Sequence, residues 1–293
     1  MSIKSKIESL AAKKNYLSIK YNYMNKLKKD FKKSLGYELD LNDPKTFNEK
    51  IQWLKVYFRD PILTSYADKY RVRELIKEKV GEEYLIKQYG VYENPKDINL
   101  DVLPEQFVLK PNHGAGKVII CTNKLKMNWK KEFKKMRYWM KENYYYVGGE
   151  WQYKHIKPLI ICEKLLEENI VDYKIFCFDG KPKFIQVIGN RKDGNYYSNY
   201  YDLNWGLIDI DRVDHGNSKE VIPKPTKLKE MLEISKEISS DFPFVRVDLY
   251  EVGGRIYFGE TTFTPANGLA KFNPDKYDQI FGSYLKLPTG KLS

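Results

Sequence analysis

Cysteine and histidine are scarce, at 3 each in 293 residues, and that scarcity narrows the chemistry. Cys121, Cys162 and Cys177 lie inside apolar runs without metal-ligand spacing. They read as small core residues of a reducing compartment, not as disulfides or a zinc site. His155 and His215 have no cysteine or acidic neighbour at ligand spacing. No Cys–His or Ser–His pairing suggests a side-chain nucleophile. No Gly-Lys-Ser/Thr opens a helix, which excludes the Walker phosphate loop. No apolar run reaches the roughly 20 residues that span a bilayer, and no signal-peptide pattern opens the chain. A cytoplasmic protein is expected.

Negative charge is short at one end. Residues 1–35 hold ten lysines against Glu8 and Asp30, interleaved with Leu10, Tyr16, Leu17, Ile19, Tyr21, Tyr23, Met24, Leu27 and Phe31. The pattern predicts a basic amphipathic helical arm, either packed on the body or touching the inner, anionic face of the cell membrane. Over the whole chain the net charge is +12, which favours polyanionic partners. No nucleic-acid recognition motif accompanies it, and no nucleic acid is expected. Hydrophobic residues make up 42%, enough for a full core in one multi-lobed domain or two small ones.

Thr46-Phe47-Asn48-Glu49 is a capping box that starts a helix presenting Phe47, Ile51, Trp53, Leu54 and Phe58. A second helix is expected from Tyr66 to Lys79, stopped by Gly81, and others over 128–140, 227–238 and 274–285. From Phe107 onward strands dominate. Leu159 to Glu163 reads as a buried strand ending in a carboxylate. Residues 171–178 and 183–188 flank Asp179-Gly180, a strong hairpin signal, and Phe244–Tyr250 turns back on Arg255–Glu260 at Gly253-Gly254. Strand pairs on tight turns, with helices added, indicate an α+β fold with antiparallel sheets.

The chemistry concentrates in a few places. The apolar run Phe107-Val108-Leu109 ends in Lys110, and Asn112-His113-Gly114-Ala115-Gly116-Lys117 leads into Val118-Ile119-Ile120-Cys121. Glycines let backbone N–H groups approach an anion, and Lys110 adds a point charge; a plain turn is the other reading. Asp248 alternates with Val247 and Leu249, and Glu260 ends the partner strand of the same hairpin. Such a carboxylate pair is either a magnesium site beside bound phosphates or two ordinary surface groups. Arg246 shares the Asp248 face, as its ion-pair partner or as a stabiliser of an anionic intermediate, and Lys174 stands likewise to Asp172. The tyrosine runs at 144–146 and 196–201 read as structural.

In order and spacing these pieces resemble the ATP-grasp superfamily of ADP-forming ligases. Thr46 to Trp53, Asp68-Lys69, Asn112-His113-Gly114, Glu150-Trp151, Asp172-Tyr173-Lys174 and Asp179-Gly180-Lys181-Pro182 look more narrowly like the TupA-like ATP-grasp proteins of teichuronopeptide and capsular polysaccharide clusters, over roughly residues 40 to 285. The resemblance implies two α+β lobes enclosing ATP. Expected divisions are a basic arm (1–45), a helical segment (46–105), a small lid lobe (106–165) and a large lobe (166–293). It implies that Lys69 and Lys110 hold the ATP phosphates under a flap of His113, Gly114, Ala115 and Gly116. Glu163, Lys164 and Leu166 would meet adenine, largely through backbone, and Asp172 the ribose. Asp248 and Glu260 would hold Mg2+. The superfamily's third metal ligand, an asparagine, is replaced by Thr262, with Asn267 as a possible substitute from the next loop. Arg191, with Lys192, is a candidate contact for the transferred phosphate, or a plain surface turn. The implied activity joins a carboxylate, of uronic-acid type, to an amine or amino acid on a cell-surface polysaccharide or its precursor. The alternatives are an ATP-dependent sugar phosphotransferase, or a glycosyltransferase using Asp209-Ile210-Asp211.

Overall fold

The structure is a computed structural model. It describes residues 3–189, 197–212, 216–218 and 221–289, with backbone alone for 3–13 and for Arg212. In chain order the first elements are α1 (Ile3–Leu35), α2 (Phe47–Tyr57), α3 (Ile62–Ala67), α4 (Val72–Lys79), β1 (Gln88–Tyr92), β2 (Phe107–Pro111), β3 (Ile119–Cys121), α5 (Trp129–Trp139), α6 (Tyr145–Gly148) and β4 (Ile160–Lys164). Then come β5 (Asp172–Phe178), β6 (Lys181–Gly189), β7 (Tyr197–Tyr201), β8 (Leu207–Ile208), β9 (Asp211–Arg212), α7 (Leu228–Ser239), β10 (Phe244–Val252), β11 (Arg255–Thr262), β12 (Phe272–Asn273) and α8 (Lys276–Tyr284). A four-stranded sheet runs β1-β4-β2-β3 and a six-stranded sheet β11-β10-β5-β6-β7-β8, both antiparallel; β12 pairs with β9. The fold is α+β, as expected.

Local signals decide the tight connections. Asp179 and Gly180 at φ 51° and 68°, and Gly253 and Gly254 at 58° and 72°, are consecutive left-handed residues whose twist suits a two-residue hairpin. The Thr46 capping box forms as expected, with Thr46 accepting from the Glu49 N–H and Glu49 reaching back. It aims Phe47 into a cluster of rings from Phe176, Phe178, Phe244, Phe272 and Phe281.

The large sheet has two unlike faces. Alternation sends Tyr173, Ile175, Cys177, Val245, Val247 and Leu249 to one side, where Met231, Ile234 and Ile238 of α7 cover them. The opposite face is apolar at one end, where Phe176, Phe178, Phe184 and Phe244 meet α2 and α8. At its other end it carries Asp172, Lys174, Arg246 and Asp248, with Lys174 of β5 directly opposite Asp248 of β10.

Two expectations need correction. The helix from Tyr66 to Lys79 is broken into α3 and α4. Residues 88–92, read as part of a helical segment, are instead an edge strand of the small sheet. The basic arm packs on the body, one of its two expected readings: Ile19, Leu27 and Phe31 of α1 are buried, the last two in the α2–α8 core. Among the described residues no helix is long and apolar enough to cross a membrane.

Candidate active site

Strand register builds the carboxylate end of the site. Lys174 on β5, Asp248 on β10 and Glu260 on β11 are direct cross-strand partners, so three charged side chains form one row. Arg246 lies two residues from Asp248 on the same face. Its Nε donates to Asp248 Oδ1 at 2.6 Å, and its Nη2 donates to Oδ2 at 2.7 Å and to Thr262 Oγ1 at 3.0 Å. The Lys174 ammonium pairs with Asp248 Oδ2 and lies 3.8 Å from Asp172 Oδ2. Burial disfavours the Arg246 charge, but Asp248 outweighs it and raises the guanidinium pKa. Burial likewise opposes ionisation of Glu260; Lys69, Lys174 and Arg246 overcome it and hold that carboxyl well below the usual range.

The small sheet contributes the second group. Lys110 on β2 reaches across to β4, where its Nζ is 2.6 Å from Glu163 Oε2. Arg73 of α4 takes the other oxygen at 3.4 Å and donates to the Ile86 carbonyl at 2.9 Å. The Glu163 carboxylate is thus engaged by two cations, and its backbone lies between β1 and β2 in the sheet. Lys164, whose N–H donates to the Lys87 carbonyl, and Leu166 continue the same wall.

The break between α3 and α4 delivers Lys69. Asp68 Oδ1 accepts from the N–H groups of Tyr70 and Arg71 and from Asn112 Nδ2, while the Lys69 N–H donates to the Asn112 carbonyl. Those bonds replace helical ones and hold the chain open at Lys69. Its Nζ then lies 2.8 Å from Gly114 O and 3.0 Å from Glu260 Oε2. Gly114 sits at φ +85°, and an added Cβ would come within 2.5 Å of the Tyr144 ring. Only glycine fits that position.

A cleft of about 670 Å³ separates the two sheets. Lys69, Lys110, Gly116, Glu163, Lys164, Leu166, Asp172, Arg246, Asp248 and Glu260 all line it, with Lys174 and Lys117. Val108, Val118, Ile120 and Ile170 supply an apolar wall. Other candidates fall elsewhere. His113 is buried, with Nε2 3.1 Å from the Trp139 carbonyl and Nδ1 3.2 Å from Asn112 Oδ1; it braces the loop and does not face the cleft. Burial lowers its pKa. Ala115 and Thr262 do not line the cleft, although Thr262 touches Arg246. Asn267 points away: its Oδ1 accepts from Lys55 Nζ at 2.8 Å, so it does not join the carboxylates. Asp209 and Asp211 are exposed and do not line the cleft. Arg191, Lys192 and His215 lie outside the described residues.

The donor set fits magnesium only in company. Asp248 and Glu260 are hard oxygen donors on adjacent strands, but among the described residues no group of three or more His, Cys, Asp or Glu side chains is disposed to hold an ion. Phosphate oxygens would have to complete the shell.

Two antiparallel sheets facing across a cleft, with Lys110 on the smaller and the Asp248–Glu260 pair on the larger, are the arrangement of an ATP-grasp protein. The chain belongs to the TupA-like ATP-grasp family, whose family model matches residues 49–286. No curated protein matches it. Among solved structures it is similar to D-alanine–D-alanine ligase from Bacillus anthracis complexed with ATP, at 19% identity and TM-score 0.38, covering 69% of this chain and 55% of that one. L-amino acid ligase from Bacillus licheniformis is 16% identical, TM-score 0.47, with coverages of 77% and 51%. D-alanine–D-alanine ligase from Helicobacter pylori is 18% identical, TM-score 0.41, with coverages of 83% and 69%. The chain thus spans about half to two thirds of the length of these structures, and similarity at this level says nothing of substrate.

Proposed function

We propose that this chain is an ADP-forming carboxylate–amine ligase. The observation that carries the reading is the convergence of Lys69, Lys110 and Arg246 on one cleft with Asp248 and Glu260. ATP would lie between the sheets, with adenine along Glu163, Lys164 and Leu166, ribose at Asp172, and phosphates between Lys69, Lys110 and the Gly114–Gly116 loop. Magnesium held by Asp248 and Glu260 would offset phosphate charge. A substrate carboxylate oxygen bonds to the γ-phosphorus as the bridge to the β-phosphate breaks, releasing ADP. The amine nitrogen then attacks the acyl carbon of the acyl phosphate, loses a proton, and inorganic phosphate leaves. Arg246, charged and aimed at the carboxylates, suits it to hold the anionic intermediate; Arg191 is proposed for the transferred phosphate. Positioning and charge neutralisation supply most of such catalysis.

The family's setting supports a uronic-acid-type carboxylate on a cell-surface polysaccharide or its precursor. The test is phosphate release from ATP with candidate uronic acids and amines: a ligase releases phosphate only when both are present. Phosphorylated sugar without amide formation, or turnover of a nucleotide sugar, would show a different enzyme. Full activity in Lys110→Ala, Asp248→Asn and Glu260→Gln would refute the site.

A peripheral location at the inner membrane face belongs to the same reading. On α1, Leu17 and Tyr21 are exposed one turn apart, and Met24 is exposed beyond the kink at Asn22 (φ −147°, ψ 43°), with Lys14, Lys20 and Lys28 also exposed around them. Exposed apolar side chains flanked by lysines are complementary to anionic lipid. Binding to phosphatidylserine vesicles should fall at least tenfold when Leu17, Tyr21 and Met24 are all changed to serine; unchanged binding removes this part.

A further inference from the structure

The outer face of the small sheet carries charge that the cleft does not use. Strand alternation sends Phe107, Leu109, Ile119 and Cys162 against Met136 of α5, while Val108, Lys110, Ile120 and Glu163 of the same strands line the cleft. Helix α5 therefore lies on the far side of that sheet. Residues 124–141 hold eight lysines and arginines against Glu132 alone. Lys130, Lys134 and Arg137 stand at i, i+4 and i+7 on α5, all exposed, as a cationic stripe about 10 Å long. Glu132 is taken by Lys135, and among the described residues no ion pair engages Lys96, Lys130, Lys134 or Arg137. Beside the stripe runs a groove of about 510 Å³. Lys96, Lys130 and Arg137 are its cations, Ile98, Leu100 and Phe133 its apolar lining, and Asp101 adds one carboxylate. The three cations are exposed, Ile98 is buried, and Leu100 and Phe133 are half-buried, so charge forms the rim and apolar surface the floor.

Three features choose the occupant. Exposed ion pairs are individually weak, so the stripe holds only a ligand that brings several negative charges on one chain. The apolar side of α5, with Trp129, Phe133 and Met136, is turned onto the sheet, and no exposed aliphatic side chain of α5 is left to enter lipid. An apolar floor under a cationic rim suits sugar rings, whose C–H faces are apolar and whose carboxylates stand at the edge. We propose that this groove docks an anionic polysaccharide with a carboxylate on each sugar, the polymer whose carboxylates the cleft would take. The choice of polymer rests on the ligase reading above. The groove does not touch the reacting atoms; it holds the chain on the same lobe as Lys110 and so raises its local concentration at the cleft.

The experiment reads binding without turnover. Fluorescein-labelled oligogalacturonate is titrated with the full chain, without nucleotide, and fluorescence anisotropy is followed at low and at physiological salt. The wild type should bind it, more weakly as salt rises. The triple variant Lys130→Glu, Lys134→Glu, Arg137→Glu should bind about tenfold or more less tightly. The same charge change at exposed lysines of the large lobe, Lys224→Glu with Lys229→Glu and Lys236→Glu, should leave binding within about twofold. Equal loss in both triples would mean unspecific attraction to a basic chain and would overturn the proposal, as would no binding by the wild type. Tighter binding of phosphatidylserine vesicles or single-stranded RNA, lost in the α5 triple, would overturn it in favour of another polyanion. The β,γ-imido analogue of ATP is titrated in parallel. A wild type that binds the analogue and not the uronate sinks the docking groove alone; one that binds the uronate through α5 and not the analogue sinks the ligase reading alone. Should the α5 triple not fold, Lys130→Ala and Arg137→Ala decide singly, and unchanged uronate binding in both overturns the proposal.

Discussion

The Lys69 ammonium lies 3.0 Å from Glu260 Oε2 and 2.8 Å from Gly114 O, so one side chain joins the edge strand of the large sheet to the glycine loop. The pairing makes stability depend on pH with a definite sign. The Glu260 carboxyl is held well below its ordinary pKa, since its three cations outweigh burial. Folded, it binds fewer protons than unfolded. Its contribution is therefore present above the unfolded value of about 4.3 and is lost as pH falls through the lower folded value. The stability advantage of the wild type over Glu260→Gln should be full at pH 7 and shrink below about pH 4. Urea unfolding at pH 7, 4 and 3 measures it, and an advantage that does not change with pH would contradict the pairing.

Asp248 is a structural anion as well as a candidate metal ligand. It is 1% exposed and carries three charge-assisted bonds from Arg246 and Lys174. Removing its charge leaves two buried cations with one partner fewer. Breaking a buried pair from one side costs about 3–5 kcal/mol. Asp248→Asn should accordingly lose ATP turnover and unfold at a much lower denaturant concentration. A stability loss below about 1 kcal/mol would mean that water reaches the cluster freely.

What could be read from sequence was local. The capping box at Thr46 and the Asp179-Gly180 and Gly253-Gly254 turns depend on residues within a few positions, and the structure keeps them. The facing of Asp248 away from Val247 and Leu249 follows from strand alternation alone. The break at Asp68 could not be read, because Asn112, far along the chain, makes it. Lys174 showed its side-by-side relation to Asp172, but its principal partner stands on β10, which only the sheet order brings next to β5. The strand at 88–92 left no alternation to detect, since all five residues are half-buried at a sheet edge. His113 misled for the opposite reason. Its motif position suggested the flap, while its ring nitrogens bond inward.

Lys55 gives a second pH signature, of opposite origin. It is buried on α2, and its hydrogen-bond partners among the described residues are neutral: Asn267 Oδ1 and the carbonyls of Gly148 and Asn267. Burial lowers its pKa to about 8, with Glu150 offsetting part of the effect. Between that value and the unfolded value of about 10.4 the unfolded chain binds more protons, so the folded state gains as pH rises. The wild type should gain stability relative to Lys55→Met from pH 8 to pH 10. Parallel unfolding curves at pH 7, 8, 9 and 10 check this; a constant difference would place the Lys55 ammonium in contact with water.

The basic arm separates two effects that its sequence blends. Phe31 is fully buried against Tyr37 and the α2–α8 core, whereas Tyr21, just before the kink at Asn22, is 72% exposed. A buried phenylalanine cut to alanine costs about 3–5 kcal/mol, while an exposed substitution stays within about 0.5 kcal/mol. Phe31→Ala should therefore destabilise the chain strongly, and Tyr21→Ser should leave its unfolding midpoint unchanged. Deleting residues 1–35 would expose the apolar surface that Leu27 and Phe31 cover, so loss of activity in that truncation would report unfolding. Chemical denaturation of the two point variants decides the matter. Equal, small effects would mean that α1 is a detachable appendage, and the arm would then have no part in the core.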